Sequence, residues 1–105
     1  DVAWLPTYAY ILAKQKYDAQ VRLMTVRNGL TKYRGQFVAR SDSNIDSLQD
    51  IEGKIIAYTD AASTSGYIYP SAILKQRGIT PKDYFFAGGH PQAILAVYSG
   101  RAYIF

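Results

Sequence analysis

The sequence contains no cysteine and a single histidine, His90. The first absence removes disulfides, thiol nucleophiles and cysteine zinc sites, and the second removes any His-rich metal centre. No apolar run approaches the ~20 residues that a membrane-crossing helix requires, and no signal peptide is visible. There is no GxxxxGK(S/T) loop to cradle a nucleoside triphosphate and no GxSxG elbow to present a serine nucleophile. Charge of either sign is thin and scattered. The 12 basic and 8 acidic residues leave a net charge of +4, which favours anionic partners. The cations form no stripe and match no nucleic-acid-binding module, so no nucleic-acid partner is expected. The chain also lacks an initiator Met. It opens on Asp1-Val2-Ala3-Trp4, which reads like the inside of a strand and as part of a fragment or processed form.

What is present is enough for one small domain with its own core, since 105 residues carry 49% hydrophobic and 19% charged side chains, an ordinary globular balance. Tyrosine is over-used, with 10 copies against 4 Phe and 1 Trp. Tyrosines line sugar and anion sites, and they also pack on pleated surfaces.

Periodicity sets out the elements. Asp1 to Trp4 reads as a strand end. Pro6 opens a helix over Thr7 to Tyr17, with Ala9, Leu12 and Ala13 at helical spacing. Val21 to Arg27 alternates like a strand, Asn28-Gly29 marks a turn, and Tyr33-Arg34-Gly35 a turn or short loop. Gln36 to Arg40 is predicted as a strand, and Asp46 to Asp50 as one helical turn capped by Asp46. The second half is more regular: strand Lys54 to Thr59, helix Ser63 to Arg77 stopped by Gly78, strand Lys82 to Ala87, helix His90 to Ser99 stopped by Gly100, and a strand from Arg101. Such alternation points to βαβ units and a parallel sheet. Pro70 is a conflict inside the first of these helices, because it has no N–H and disfavours helical geometry at Tyr69: either the helix kinks there, or Ser65 to Tyr69 form a separate turn and the main helix starts at Pro70.

In an open parallel sheet, ligands bind where strands hand over to helices. Two handovers here are unusually polar: Asp60-Ala61-Ala62-Ser63-Thr64-Ser65-Gly66 and Ala87-Gly88-Gly89-His90-Pro91. A helix start leaves N–H groups without partners at the positive end of its dipole, and an oxyanion satisfies both. Ser63, Thr64 and Ser65 add hydroxyl donors, and Gly66 permits close approach of an oxygen. One of the three hydroxyls is needed as an ordinary cap; three followed by glycine exceed that need. His90 precedes Pro91 at a second helix start, where a neutral imidazole can donate one N–H. Catalysis is poorly supported. A hydrolase would use Ser63 or Ser65 with His90, and Asp60 is the only nearby carboxylate to orient the imidazole.

The runs IDSLQDIEGKIIAYTDAASTSGYIYPSAILKQRGI and FFAGGHPQAILAVYSGRA, with DVAWLPTYAYILA and YRGQFVARSDS, closely resemble the phosphate/phosphite/phosphonate-binding proteins of ABC importers. The resemblance covers nearly the whole chain. It implies an α/β, periplasmic-binding-protein-like fold of type II, whose three-layer lobes carry a mostly parallel sheet, here truncated. Residues 1–35 are expected to be the remnant of a first lobe and crossing segment, and 36–105 the second lobe. The implied function is non-enzymatic binding of a small phosphate-like oxyanion, with no cofactor, for the membrane subunits of an ABC importer in a periplasmic or extracytoplasmic membrane-associated setting. The implied ligand residues are Ser63, Thr64, Ser65, Gly66 and His90, with Tyr10 lining the cleft and Tyr8 and Trp4 as neighbours. Family members are more than twice this length, and the Asp that usually follows Gly-Arg-Val is absent after Gly100-Arg101-Ala102. A homo-oligomer would cover the surface where the other lobe packs. The alternatives are a sensor or interaction domain with this fold and no transport role, and the hydrolase.

Overall fold

A strand that is apolar along its whole length needs cover on both faces, and Lys54 to Thr59 is such a run. In the computed structural model, which describes residues 1–105, its centre forms β1 (Ile55–Tyr58). β1 pairs in parallel with β2 (Asp83–Phe86), in the register Ile55 with Asp83 through Tyr58 with Phe86. Helix α1 (Thr7–Tyr17) precedes the sheet, α2 (Tyr69–Gln76) joins the two strands, and α3 (His90–Tyr98) follows β2. Ile56 and Tyr58 pack on one face against Ile51, Ile79, Ile104 and Leu74 of α2. Ala57, between them, packs on the other against Ala102 and against Ala93, Ala96 and Val97 of α3. The two helices therefore cover opposite faces, and the unit has the three layers and parallel sheet expected of an α/β lobe.

A third stave lies beside β1. Ile104 bridges Ile56 on one side and Ala39 on the other, and the backbones of Val38 and Phe105 exchange hydrogen bonds of 2.9 and 3.0 Å. The predicted strands over Gln36–Arg40 and from Arg101 thus contract to isolated bridges. The predicted strands at Asp1–Trp4 and Val21–Arg27 do not form. Alternation marks a segment that can pair, but a strand also needs a partner edge, and neither segment has one. Of the second, only a turn remains, closed by Arg27 and Leu30 across Asn28-Gly29. No residue of α1 is buried, and Leu23 is 93% exposed.

Local chemistry explains most boundaries. α1 ends on Asp18, whose left-handed backbone (φ 51°) returns its N–H to Lys14. The predicted turn at Asp46 begins one residue later, on Ser47, and runs as a short 3-10 helix over Leu48–Ile51. Asp46 is not its cap. Instead the Asp50 carboxylate accepts from the Ser47 N–H, the Ser47 hydroxyl and the Asp46 N–H at 2.8, 2.8 and 3.1 Å. These donors favour the ionised form and lower the Asp50 pKa, as hydrogen bonds to a carboxylate do. Gly78 (φ 68°) closes α2, and the Ile79 N–H reaches back to the Leu74 carbonyl. That is the six-to-one bond of a glycine C-terminal cap.

The helix predicted over Ser63–Arg77 divides in two, and Pro70 is the reason. A proline ring clashes with the carbonyl four residues earlier and offers it no N–H. That carbonyl belongs to Gly66, and it instead accepts the Thr59 N–H at 3.2 Å. The chain makes room by widening: Thr64–Ile68 form a π turn, with the Ile68 N–H bonded to the Ser63 carbonyl and the Tyr69 N–H to the Thr64 carbonyl. The α-helix proper starts at Tyr69. Single π turns of this kind are often found at functional sites.

Candidate functional site

The handovers that end β1 and β2 lie on the same edge of the sheet, because the strands are parallel neighbours. The Ala87 and Gly88 N–H groups bond to the carbonyls of Tyr58 and Thr59 at 2.8 Å each, so the two turns are tied together at their bases. Between them opens a cleft of about 380 Å³, lined among others by Ser65, Gly66, Pro70, Tyr58, His90 and Phe105. Residues 33–38 form its far wall.

The hydroxyls of the first turn do different things. Ser63 Oγ accepts from the Gly66 N–H at 3.0 Å, the ordinary capping role. Thr64 is buried, and its Oγ1 accepts from the Tyr8 N–H at 3.0 Å. That bond docks the start of α1 onto the π turn. Neither residue lines the cleft. Ser65 does, and its hydroxyl has no hydrogen-bond partner within the protein, nor do the N–H groups of Thr64 and Ser65. Two backbone donors at a helix start, beside a free hydroxyl, make a concentrated donor set at the positive end of a helix dipole.

Gly66 has a role beyond the one read from its sequence. A Cβ there would sit 2.1 Å from Thr59 Oγ1, 2.7 Å from Thr59 Cγ2 and 2.9 Å from Ser63 Oγ. The oxygen that approaches this glycine closely is thus the protein's own. Thr59 is 1% exposed, and its hydroxyl makes no hydrogen bond.

From the second turn, His90 lines the same cleft, exposed to solvent, with its ring edge-to-face on Phe105 at 5.5 Å. Asp60, the carboxylate considered for orienting it, accepts instead from the Ala62 N–H at 3.0 Å and does not line the cleft. Tyr10 is half-buried on α1 and also lies off the cleft, and Trp4 is exposed. The structure therefore brings Ser65, Gly66 and His90 together, sets Ser63 and Thr64 behind them as scaffold, and leaves Tyr10 apart.

Two parts of the lining were not singled out from the sequence. Tyr58, the last residue of β1, faces the cleft and joins an aromatic cluster with Tyr67, Tyr84 and Phe86, its ring 5.0 Å from Tyr67 and 5.5 Å from Tyr84. Its place at the carboxyl end of a strand was the available signal. Burial, with Tyr67 and Tyr84 nearby, pushes the Tyr58 hydroxyl up to about 12 from an ordinary 10. The folded protein thus keeps a proton that the unfolded chain releases near pH 10. The resulting stabilisation is complete below that pH and is lost as pH rises from about 10 to 12. Tyr58→Phe is expected to flatten that alkaline fall, measured as denaturant midpoints between pH 8 and 12. An unchanged slope would contradict the assignment. The second part is the stretch 33–38. Gly35 passes Ser65 at van der Waals distance: its Cβ position is 3.8 Å from the Ser65 carbonyl oxygen.

A family model described as "ABC transporter, phosphonate, periplasmic substrate-binding protein" matches residues 1–104. The chain belongs to this family of periplasmic substrate-binding proteins. Among curated proteins it is similar to the phosphate-import protein PhnD of Mycolicibacterium smegmatis, 32% identical over 114 residues that cover 95% of this chain. The chain spans only 36% of that relative's length. No helix is long and apolar enough to cross a membrane.

Proposed function

We propose that this chain is the anion-holding lobe of a solute-binding protein that delivers a phosphate-like oxyanion (phosphate, phosphite or a phosphonate) to the membrane subunits of an ABC importer. Its setting is periplasmic or extracytoplasmic and membrane-associated, and its role involves no catalysis. Residues 36–105 form the lobe, and residues 1–35 belong to the first lobe and crossing segment. One observation carries the proposal: Ser65, Gly66 and His90, from two different strand ends, converge on one cleft that no Asp or Glu side chain lines. A tetrahedral anion needs donors aimed at separate oxygens. The Ser65 N–H and hydroxyl reach it from one side, and a ring N–H of His90 from the other. Ser63 and Thr64 hold this loop in place, while Tyr10, on α1, lies off this cleft. The import role of the mycobacterial relative supports phosphate as one of the candidate ligands.

Calorimetric titration with phosphate, phosphite, methylphosphonate and 2-aminoethylphosphonate tests the proposal. Saturable binding of at least one is expected, weakened in Ser65→Ala. No heat from any of the four at millimolar concentration, with the protein folded, would remove the anion reading and favour an interaction domain of the same fold.

A further inference from the structure

None of the donors assigned so far carries a permanent charge, yet one side chain on the lining does. Of its twelve lining residues, Arg34 alone is a lysine or arginine, and none is acidic. The protein's only ion pair is between Arg40 and Asp42. Arg34 takes part in no ion pair and no side-chain hydrogen bond. A guanidinium without a carboxylate partner, facing a concave site, has its full set of five donors available to a ligand.

The segment that follows Arg34 is held at two points. Gly35, the next residue, lies against the Ser65 backbone. Three residues beyond Gly35, the Val38–Phe105 backbone pair ties the segment to the stave that borders β1. Residues 33–38 thus form a strap along the cleft that touches the π turn at Gly35, with Arg34 on the lining. No Asp or Glu side chain on the lining competes with a bound anion for the guanidinium.

We propose that Arg34 is the charge-pairing residue of this cleft, its guanidinium fork closing on two oxygens of a tetrahedral oxyanion seated against Ser65 and His90. This rests on the oxyanion reading above and deepens it: neutral donors set the geometry, and Arg34 supplies the fixed charge. Charge-assisted, two-point contacts are about twice as strong as neutral ones, and a lysine cannot reproduce the fork.

The test is calorimetric titration of the chain with inorganic phosphate at low and moderate ionic strength, for the wild type, Arg34→Gln, Arg34→Lys and Arg22→Gln. The last removes the same charge from an exposed residue that does not line the cleft. Arg34→Gln is expected to weaken binding about 10-fold or more and to reduce its sensitivity to salt. Arg34→Lys should fall between it and the wild type, and Arg22→Gln should stay within about twofold of the wild type, as expected of a distant screened charge. Equal binding by the wild type and Arg34→Gln would overturn the role of Arg34 while leaving the anion site standing. Equal weakening by Arg22→Gln and Arg34→Gln would overturn it too, by making the effect one of net charge. A folded wild type that binds none of the four anions would remove the anion site and the role of Arg34 with it.

Discussion

Gly66→Ala is expected to destabilise the chain by about 3 kcal/mol, the upper part of the range for overpacking a well-packed site. The added methyl would lie 2.1 Å from Thr59 Oγ1 and 2.7 Å from Thr59 Cγ2, far inside contact distance. Retreat is blocked on both sides. Thr59 is buried at the end of β1, its N–H bonded to the Gly66 carbonyl. The Gly66 N–H is in turn held by Ser63 Oγ. Relief therefore means moving the π turn, and with it the free N–H groups of Thr64 and Ser65. The same substitution should accordingly weaken anion binding as well as folding. Thr59→Ala removes the two nearest atoms in the way, leaving Ser63 Oγ at 2.9 Å, and the Thr59 hydroxyl has no partner to lose. In that background Gly66→Ala should cost far less, a coupling between touching residues that a double-mutant cycle measures directly. Denaturant midpoints with an unchanged m-value are the readout. A cost below about 1 kcal/mol in the wild-type background would show that the turn is more pliant than its packing implies.

Ile104→Ala is expected to cost about 2–5 kcal/mol, as other buried isoleucine truncations do. Ile104 is 1% exposed, packs in the α2-side core and bridges both Ile56 and Ala39. It is the apolar pin through which a stave of barely one residue is held beside β1. Its neighbour Phe105 carries the backbone pair to Val38 and the ring contact to His90. Loosening Ile104 therefore loosens two walls of the cleft at once, and anion affinity should fall together with stability. Full retention of both would mean that the stave is ornamental to the core. Phe105→Leu, which keeps the backbone pair but removes the aromatic face under His90, separates the two consequences: binding should change more than folding.

How far the sequence revealed this arrangement depends on how local each cause is. From Lys54 to Gly100 every periodic run stops at turn chemistry that acts within a few residues, such as Gly78 and Gly100 in left-handed conformation. Strand, helix, strand and helix are found there within a residue or two of their expected limits, except at Pro70. Pro70 itself marked the break: of the two outcomes it allowed, a kink or a separate turn over Ser65–Tyr69, the second is close to what forms. Only the π geometry of that turn was not legible, because the Gly66 carbonyl that Pro70 leaves free is taken by Thr59, whose approach only the folded chain reveals. Val21 to Arg27 failed for the converse reason, since alternation shows readiness to pair while the partner is decided elsewhere. Ser65 and His90 were picked out because strand ends on one sheet edge must face one another. That Ser63 and Thr64 turn their side chains to Gly66 and Tyr8 could not be read from three hydroxyls in a row. Arg34 passed unnoticed as one cation among 12 basic residues. Only its place on the same lining as Ser65 and His90 sets it apart.

The central claim is that an oxyanion sits between the Ser63–Gly66 turn and His90. Amide and imidazole NMR shifts of the labelled chain, followed while inorganic phosphate is added at constant ionic strength, test it most directly. The expected result is a saturable change centred on the Thr64, Ser65 and Gly66 amides and the His90 ring, fading along α2 and α3 away from the sheet edge. Changes confined to the exposed lysines and arginines, or spread evenly without saturation while those four resonances stay still, would contradict it.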